Sequence, residues 1–318
     1  MIMKGNEKII IVPHTHWDRE WYLPFQEFRF KLVHLIDELL DIEADGYRFM
    51  LDGQTIVLED YLEIKPGNQD RLVRKIKNGS IRVGPWYLLP DEWLVGQESL
   101  IRNLECSHRL ATDLGIPLMK IGYLPDQFGH TSAIPQVLGD LTKFKAAAIW
   151  RGVGREITTV PFTWKSRESA TSSILGIYLA GGYGNAARLP DKFGDFKEQI
   201  DEFVEELEIL SPVPVYLLMN GSDHLFPQEI VHDHVESLAG EGIDIQLGIL
   251  DDFVNELSDT LDKENVILPI HGGEFRSPER APLLQDTYSS RMWIKQENQE
   301  CEDILVHGAE PLSSLAWY

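Results

Sequence analysis

The segment His14–Trp21 holds two histidines, two tryptophans and two acidic residues in eight positions, shortly after the apolar run Ile9–Val12. The apolar run predicts a buried parallel strand, and ligands bind beyond the carboxyl ends of such strands. His16 and Asp18 are two positions apart, so their side chains point the same way on extended backbone. An imidazole and a carboxylate on one face are natural zinc ligands. The pattern therefore favours a ligand site, with Trp21 as an apolar wall, over a polar turn with a surface histidine.

Asp126 is the second candidate for chemistry. The run Lys120–Leu124 predicts another strand, and Asp126 falls just past its end. A carboxylate in this position can act as a nucleophile, as a metal ligand or as both. A turn or helix-capping role would be the better interpretation if this aspartate stood alone.

Together these segments resemble glycoside hydrolase family 38, the retaining α-mannosidases. The family pattern His-x-His-x-Asp followed by Trp matches His14–Asp18 and Trp21, and the family's nucleophile motif matches Pro125–His130. Further matches follow in family order: Leu51–Gln54, Val83–Tyr87, Pro90–Glu92, the Arg151 segment, Asn220–His224 and Ser289–Met292. The ordered set extends from about residue 8 to about residue 300 and is most similar to the bacterial and archaeal branch.

The resemblance implies a role for each matched side chain. Asp126 corresponds to the nucleophile of a covalent mannosyl-enzyme, and Asp223 to the acid/base, although Asp223 in Asn-Gly-Ser-Asp would also suit a turn. His16, Asp18 and Asp126 correspond to ligands of one zinc ion, for which cobalt or manganese are alternatives. The fourth ligand is left open: in the family it is a histidine from the region after the barrel, and here His224, the more distant His271 or a water could replace it.

Three residues are predicted to bind substrate, a terminal α-mannosyl unit of an oligosaccharide or glycan. Trp21 and Phe128 could wall the sugar or could belong to the core. Arg151 could orient a carboxylate such as Asp126, or could lie on the surface.

Short apolar runs alternate with amphipathic stretches, which predicts parallel βαβ units and an α/β fold. Several polar residues follow these runs and predict one catalytic face: His16, Asp52, Asp126, Arg151 and Asp223. The resemblance implies a seven-stranded, mostly parallel, barrel-like catalytic domain over residues 1–275. Residues 276–318, with a helix predicted over Tyr288–Val306, would begin a truncated helical bundle. The chain is thus expected to be part of a longer enzyme.

Composition limits the alternatives. The chain has 318 residues, 43% of them apolar, and a net charge of −22, which disfavours a nucleic-acid partner. Cys106 and Cys301 are far apart and are expected to be thiols. The N-terminus has no signal-peptide pattern and no apolar run long enough for a membrane, so a cytoplasmic protein without a membrane partner is expected. A homo-oligomer is left open.

Two other functions remain open at this point. The first is a metal-dependent deacetylase or hydrolase, in which His16, Asp18 and Asp126 hold a metal-bound water. The second is a catalytically incomplete sugar-binding fragment, which would bind zinc and mannose without turnover. A mannosyl adduct on Asp126 would support only the mannosidase.

Overall fold

The computed structural model describes residues 7–167, 169 and 171–317, so the first six residues of the predicted catalytic domain lie outside it. The strands are β1 (Lys8–Thr15), β2 (Phe49–Leu51), β3 (Ile81–Arg82), β4 (Gly122–Leu124), β5 (Ala146–Ile149), β6 (Pro161–Lys165), β7 (Ser173–Tyr178), β8 (Val215–Asn220), β9 (Asp244–Leu247) and β10 (Ile270–Gly272). The α-helices are α1 (Phe25–Asp41), α2 (Ile56–Ile64), α3 (Gln69–Lys77), α4 (Gln97–Leu114), α5 (Ile134–Gln136), α6 (Phe193–Glu208), α7 (Ile230–Gly240), α8 (Leu250–Glu264), α9 (Met292–Asp303) and α10 (Glu310–Trp317).

Over the described residues these strands form two sheets of five strands each. In the first sheet the order is β3-β2-β1-β8, and β9 also pairs with β1; every pairing is parallel. In the second sheet the order is β10-β6-β7-β5-β4, and only β6 and β7 run antiparallel. The predicted mixed α/β fold with mostly parallel strands is therefore confirmed.

The sheets differ from the single seven-stranded barrel-like sheet that the resemblance implied. Within the described residues, no strand ladder joins the two sheets into one closed sheet. Two strands of the second sheet have no clear signal in the sequence: Pro161–Lys165 opens with a proline, and Ile270–Gly272 has three residues. Because β6 returns beside β7 as a hairpin, the sheet gains an antiparallel pair that a βαβ pattern cannot anticipate.

The core is built on β1. Its four consecutive residues Ile9–Val12 are 0% exposed, as expected for a strand covered on both faces. Helix α1 contributes a stripe at helical spacing, because Leu32, Ile36 and Leu39 are each at most 3% exposed. This packing fixes the position of β1, whose carboxyl end carries His16.

The helix predicted over Tyr288–Val306 differs in both of its bounds. Helix α9 starts at Met292 and ends at Asp303, and the helical backbone continues through a π-helical stretch, Ile304–Ala309, into α10. Several large apolar side chains on this segment are exposed, among them Trp293, which is 61% exposed. The domain division at residue 275 and the helical bundle stay predictions.

Two expectations from composition can be checked in the structure. Cys106 and Cys301 are both free and exposed, in agreement with the predicted thiols. None of the helices in the described ranges combines the length and apolar character that a membrane crossing requires.

Candidate active site

The polar residues predicted to follow strands lie one to three positions past β1, β2, β4, β5 and β8. Four of them, His16, Asp126, Arg151 and Asp223, line one cavity of about 290 Å³. The remaining lining residues are Asp18, Trp21, Leu89, Pro90, Asp91, Gln127, Phe128 and Tyr183. All seven predicted site residues are therefore brought to one place.

His16 is held from one side by Asp52, a residue that carried no assigned role in the sequence. The His16 Nδ1–H donates to the Asp52 carboxylate at 3.3 Å, which leaves Nε2 for the cavity. Asp52 is 0% exposed and also accepts hydrogen bonds from the Trp17 backbone N–H and Gln54 Nε2, both at 3.0 Å. Its φ of +46° places it in the left-handed region, where these three bonds hold it.

His16 and Asp52 shift each other's pKa. Burial lowers the pKa of His16, but the charge and hydrogen bond of Asp52 outweigh burial and raise it overall. Burial raises the pKa of Asp52, yet the neighbouring His16 brings it below its ordinary value. The pair thus favours an ionised Asp52 that fixes the imidazole plane.

Asp18 lines the cavity beside His16, and His224 lies behind Asp18. Asp18 Oδ1 lies 3.7 Å from His16 Nε2, and the Asp18 side chain is 36% exposed. His224 Nε2 donates to the Asp18 carbonyl oxygen at 3.0 Å, and its ring stacks on Phe28 with centroids 4.1 Å apart. His224 therefore supports the loop that carries Asp18 and does not line the cavity.

Asp126 contacts the cationic side chain predicted to orient it. The Arg151 Nε–H donates to Asp126 Oδ1, and another guanidinium N–H donates to the Pro282 carbonyl oxygen. Burial raises the pKa of Asp126, while the hydrogen bond from Arg151 opposes that rise. The Arg151 guanidinium also lies 4.3 Å from the centre of the Trp150 ring, so several contacts fix its orientation.

Asp223 faces the cavity beside His16. The two residues form a parallel bridge beyond β1 and β8, in which the His16 N–H donates to the Ser222 carbonyl oxygen at 3.0 Å. Tyr183 Oη donates to Asp223 Oδ1 at 2.7 Å, and burial raises the pKa of Tyr183, so it stays a donor. Buried His14 donates from Nε2 to the Tyr183 carbonyl oxygen at 2.6 Å.

Tyr183 and Asp91 also line the cavity, although the sequence favoured a structural role for Asp91 and assigned no role to Tyr183 itself. Tyr183 belongs to a Gly-rich segment that follows β7, and its role as a hydrogen-bond donor to Asp223 is visible only in the structure. Asp91 accepts a hydrogen bond from Tyr288 Oη at 3.4 Å. Trp21, 69% exposed, stands at the rim, where an aromatic side chain can contact a sugar.

The donors of His16, Asp18 and Asp126 suit zinc in chemical type. The 3.7 Å between His16 Nε2 and Asp18 Oδ1 is close to the separation of about 3.4 Å that two ligands have on a tetrahedral zinc. Asp52 on the far nitrogen of His16 is the partner that ligating histidines usually have. Among the described residues no three His, Cys, Asp or Glu side chains are gathered as a metal cluster, and Asp126 is paired with Arg151.

Two strand-end carboxylates, Asp126 and Asp223, line one open cavity, and a pair of carboxyl groups is what glycoside hydrolysis requires. Residues 6–274 match the description "Glycosyl hydrolases family 38 N-terminal domain". The chain therefore belongs to glycosyl hydrolase family 38, as the sequence motifs indicated.

Known relatives agree with this membership. The putative mannosylglycerate hydrolase of Halalkalibacterium halodurans is 31% identical over 324 residues, covering 96% of this chain and 36% of that protein. Alpha-mannosidase 2 of Spodoptera frugiperda is 28% identical over 137 residues, covering 41% of this chain and 12% of that protein. A solved alpha-mannosidase from Enterococcus faecalis V583 matches with a TM-score of 0.84 and 30% identity, covering 92% of this chain and 34% of that one. The chain thus spans only about a third of the first of these relatives.

Proposed function

We propose that this chain carries the catalytic site of a zinc-dependent retaining α-mannosidase that hydrolyses terminal α-mannosyl linkages of an oligosaccharide or glycan. The observation that carries the proposal is that Asp126 and Asp223 meet at one cavity together with His16 and Asp18. Double displacement requires two enzyme carboxyl groups beside the same glycosidic bond, one as nucleophile and one as acid/base.

In the first step Asp126 attacks the anomeric carbon. Its carboxylate oxygen forms the new bond while the glycosidic bond breaks, and the proton of Asp223 goes to the departing oxygen. Arg151 holds Asp126 in one orientation through its Nε–H, which favours attack along a defined direction.

In the second step Asp223 acts as a general base instead of a general acid. Its carboxylate takes a proton from a water molecule, the water oxygen bonds to the anomeric carbon, and Asp126 leaves as a free carboxylate. Tyr183 Oη donates a hydrogen bond to Asp223 Oδ1 at 2.7 Å, which orients the carboxyl group for this proton transfer.

Zinc would be held by His16, Asp18 and Asp126, where it would bind sugar hydroxyls and stabilise developing charge. Asp52 serves this site by fixing the other ring nitrogen of His16. Cobalt or manganese could occupy the same donors. Trp21 and the ring of Phe128 would provide apolar surfaces for the sugar.

Hydrolysis of mannosylglycerate is a second candidate activity. It is supported by the 31% identity with a protein named putative mannosylglycerate hydrolase, over 96% of this chain. The proposal also extends to a cytoplasmic enzyme, as a monomer or a homo-oligomer, with residues 276–318 beginning a helical bundle.

The test is trapping with 5-fluoro-mannosyl fluoride in the zinc-loaded full chain, followed by intact mass and peptide mapping. One sugar adduct on Asp126 supports the mannosidase. Zinc binding with turnover of acetylated sugars and no adduct would support a metal-dependent deacetylase instead. Mannose binding without turnover would identify a sugar-binding fragment. Turnover rates on an aryl α-mannoside and on mannosylglycerate then separate the two candidate substrates.

A further inference from the structure

Two walls of the cavity are joined behind the site by a buried carboxylate–imidazole pair. The segment Leu89–Asp91 lines one wall and Glu92 follows it directly; the segment Asp126–Phe128 lines another and His130 follows two residues later. The His130 Nδ1–H donates to Glu92 Oε1 at 2.7 Å, and both side chains are 0% exposed. The two polar groups therefore connect the cavity walls without facing the cavity.

The pair fixes more than one point of the Asp126 loop. The second oxygen of Glu92 accepts the Thr131 N–H at 2.7 Å. The His130 backbone exchanges two hydrogen bonds with Phe275, each 2.9 Å long. Glu92 thus holds both a side chain and a backbone amide just beyond the segment that carries Asp126.

Global stability alone is a weak reason for such an arrangement. Burying a carboxylate with an imidazole removes both from water, and apolar side chains of similar volume stabilise a core as well or better. Directional bonds, in contrast, fix distances between chain segments. The bonds of Glu92 to His130 and Thr131 fix the distance between the wall that contains Asp91 and the loop that contains Asp126.

We propose that Glu92 and His130 are positioning residues for Asp126, an inference that rests on the nucleophilic role proposed above. The pair sets where the Asp126 carboxylate stands relative to the opposite wall, and so relative to a sugar held between them. Misplacing a reacting group by about 1 Å can reduce a rate about 100-fold.

Two substitutions of His130 by amide residues test this positioning role. Both remove the imidazole ring, so the two variants differ only in where the amide group lies. Asparagine in His130→Asn can place an N–H near the Nδ1 position and keep the bond to Glu92. Glutamine in His130→Gln places its amide near Nε2, an atom that has no partner within the described residues. The full zinc-loaded chain is used, and the measured quantities are kcat, KM, the rate of labelling by 5-fluoro-mannosyl fluoride, and the melting temperature.

We expect His130→Gln to lower kcat and the labelling rate about 10- to 100-fold with little change in KM, whereas His130→Asn stays within about threefold of wild type. Equal rates in both variants would overturn the inference. Loss of folding in His130→Gln would overturn it as well, by assigning the pair to stability. Failure of the wild-type chain to become labelled on Asp126 would instead refute the proposed function.

Discussion

Replacing Asp52 with asparagine is expected to weaken zinc binding through a change at His16. In the structure Asp52 Oδ2 accepts from the Trp17 N–H and Gln54 Nε2, and Oδ1 accepts from His16 Nδ1. An asparagine oxygen at the Oδ2 position keeps the first two bonds. Its amide nitrogen then takes the Oδ1 position, 3.3 Å from His16 Nδ1, which favours the tautomer that carries the ring proton on Nε2, the atom that faces Asp18.

The size of the effect follows from this change of tautomer. The Nε2 lone pair that a metal needs becomes occupied by a proton, and exchange of an outer partner of a ligating histidine costs about 10- to 100-fold in metal affinity. That range equals about 1.4 to 2.8 kcal/mol. The backbone is not perturbed, because asparagine tolerates the φ of +46° at position 52 as aspartate does.

Zinc affinity of Asp52→Asn can be measured by competition with a chromophoric chelator, with melting temperature as the control for folding. Asp244→Asn is the matched control for loss of one negative charge. Asp244 pairs with Lys8 at the opposite end of β1, 2.7 Å away, so its variant should bind zinc as wild type does. An Asp52→Asn protein that folds and binds zinc with wild-type affinity would refute the reasoning about the His16 tautomer.

Three further predictions concern Tyr183, Gly129 and Glu302. Tyr183→Phe removes the donor to Asp223 and should reduce kcat about tenfold with KM nearly unchanged, as steady-state kinetics can show; an unchanged kcat would exclude this donor from catalysis. Gly129→Ala adds a Cβ only 2.7 Å from a carbonyl oxygen at a φ of +103° and should lower the free energy of unfolding by roughly 2 kcal/mol or more. The control Gly194→Ala, whose added Cβ meets nothing within 4 Å, should leave the free energy of unfolding nearly unchanged. Urea unfolding measures both variants, and equal stabilities would contradict the predicted clash at Gly129. Glu302→Ala removes the acceptor for a backbone N–H at the start of α4, 3.0 Å away, so amides of residues 292–317 should exchange faster with deuterium; unchanged exchange would show that this bond does not hold the helix.

The part of the site that the sequence could predict is the part that local pattern determines. His16, Asp126 and Asp223 each follow an apolar run, and the end of a parallel strand is where such residues converge. Asp52 was visible in the same way, but its contact with His16 depends on the pairing of β1 with β2. That pairing depends on the strand topology, which the hydrophobic periodicity and the composition of the sequence do not specify.

The contacts missed are those between distant segments with weak local signals. Glu92 and His130 are 38 positions apart, and Tyr183 and Asp223 are 40 apart. Strands β6 and β10 were missed for a related reason: they pair with each other on one side of the second sheet, and the formation of such strands depends on their partners more than on their own residues. The family match supplied roles for residues, whereas only the fold shows what supports them.

The arrangement of β1 also has a consequence for biosynthesis. This strand is synthesised long before its partners β8 and β9, which lie between residues 215 and 247. At about 5 to 20 residues per second, a ribosome needs about 10 to 40 s to make the roughly 200 residues between them. During that interval the apolar segment Ile9–Val12 has an unpaired edge. Early contacts with α1 can cover this segment, and His16 gains its neighbour Asp223 only when translation has passed β8.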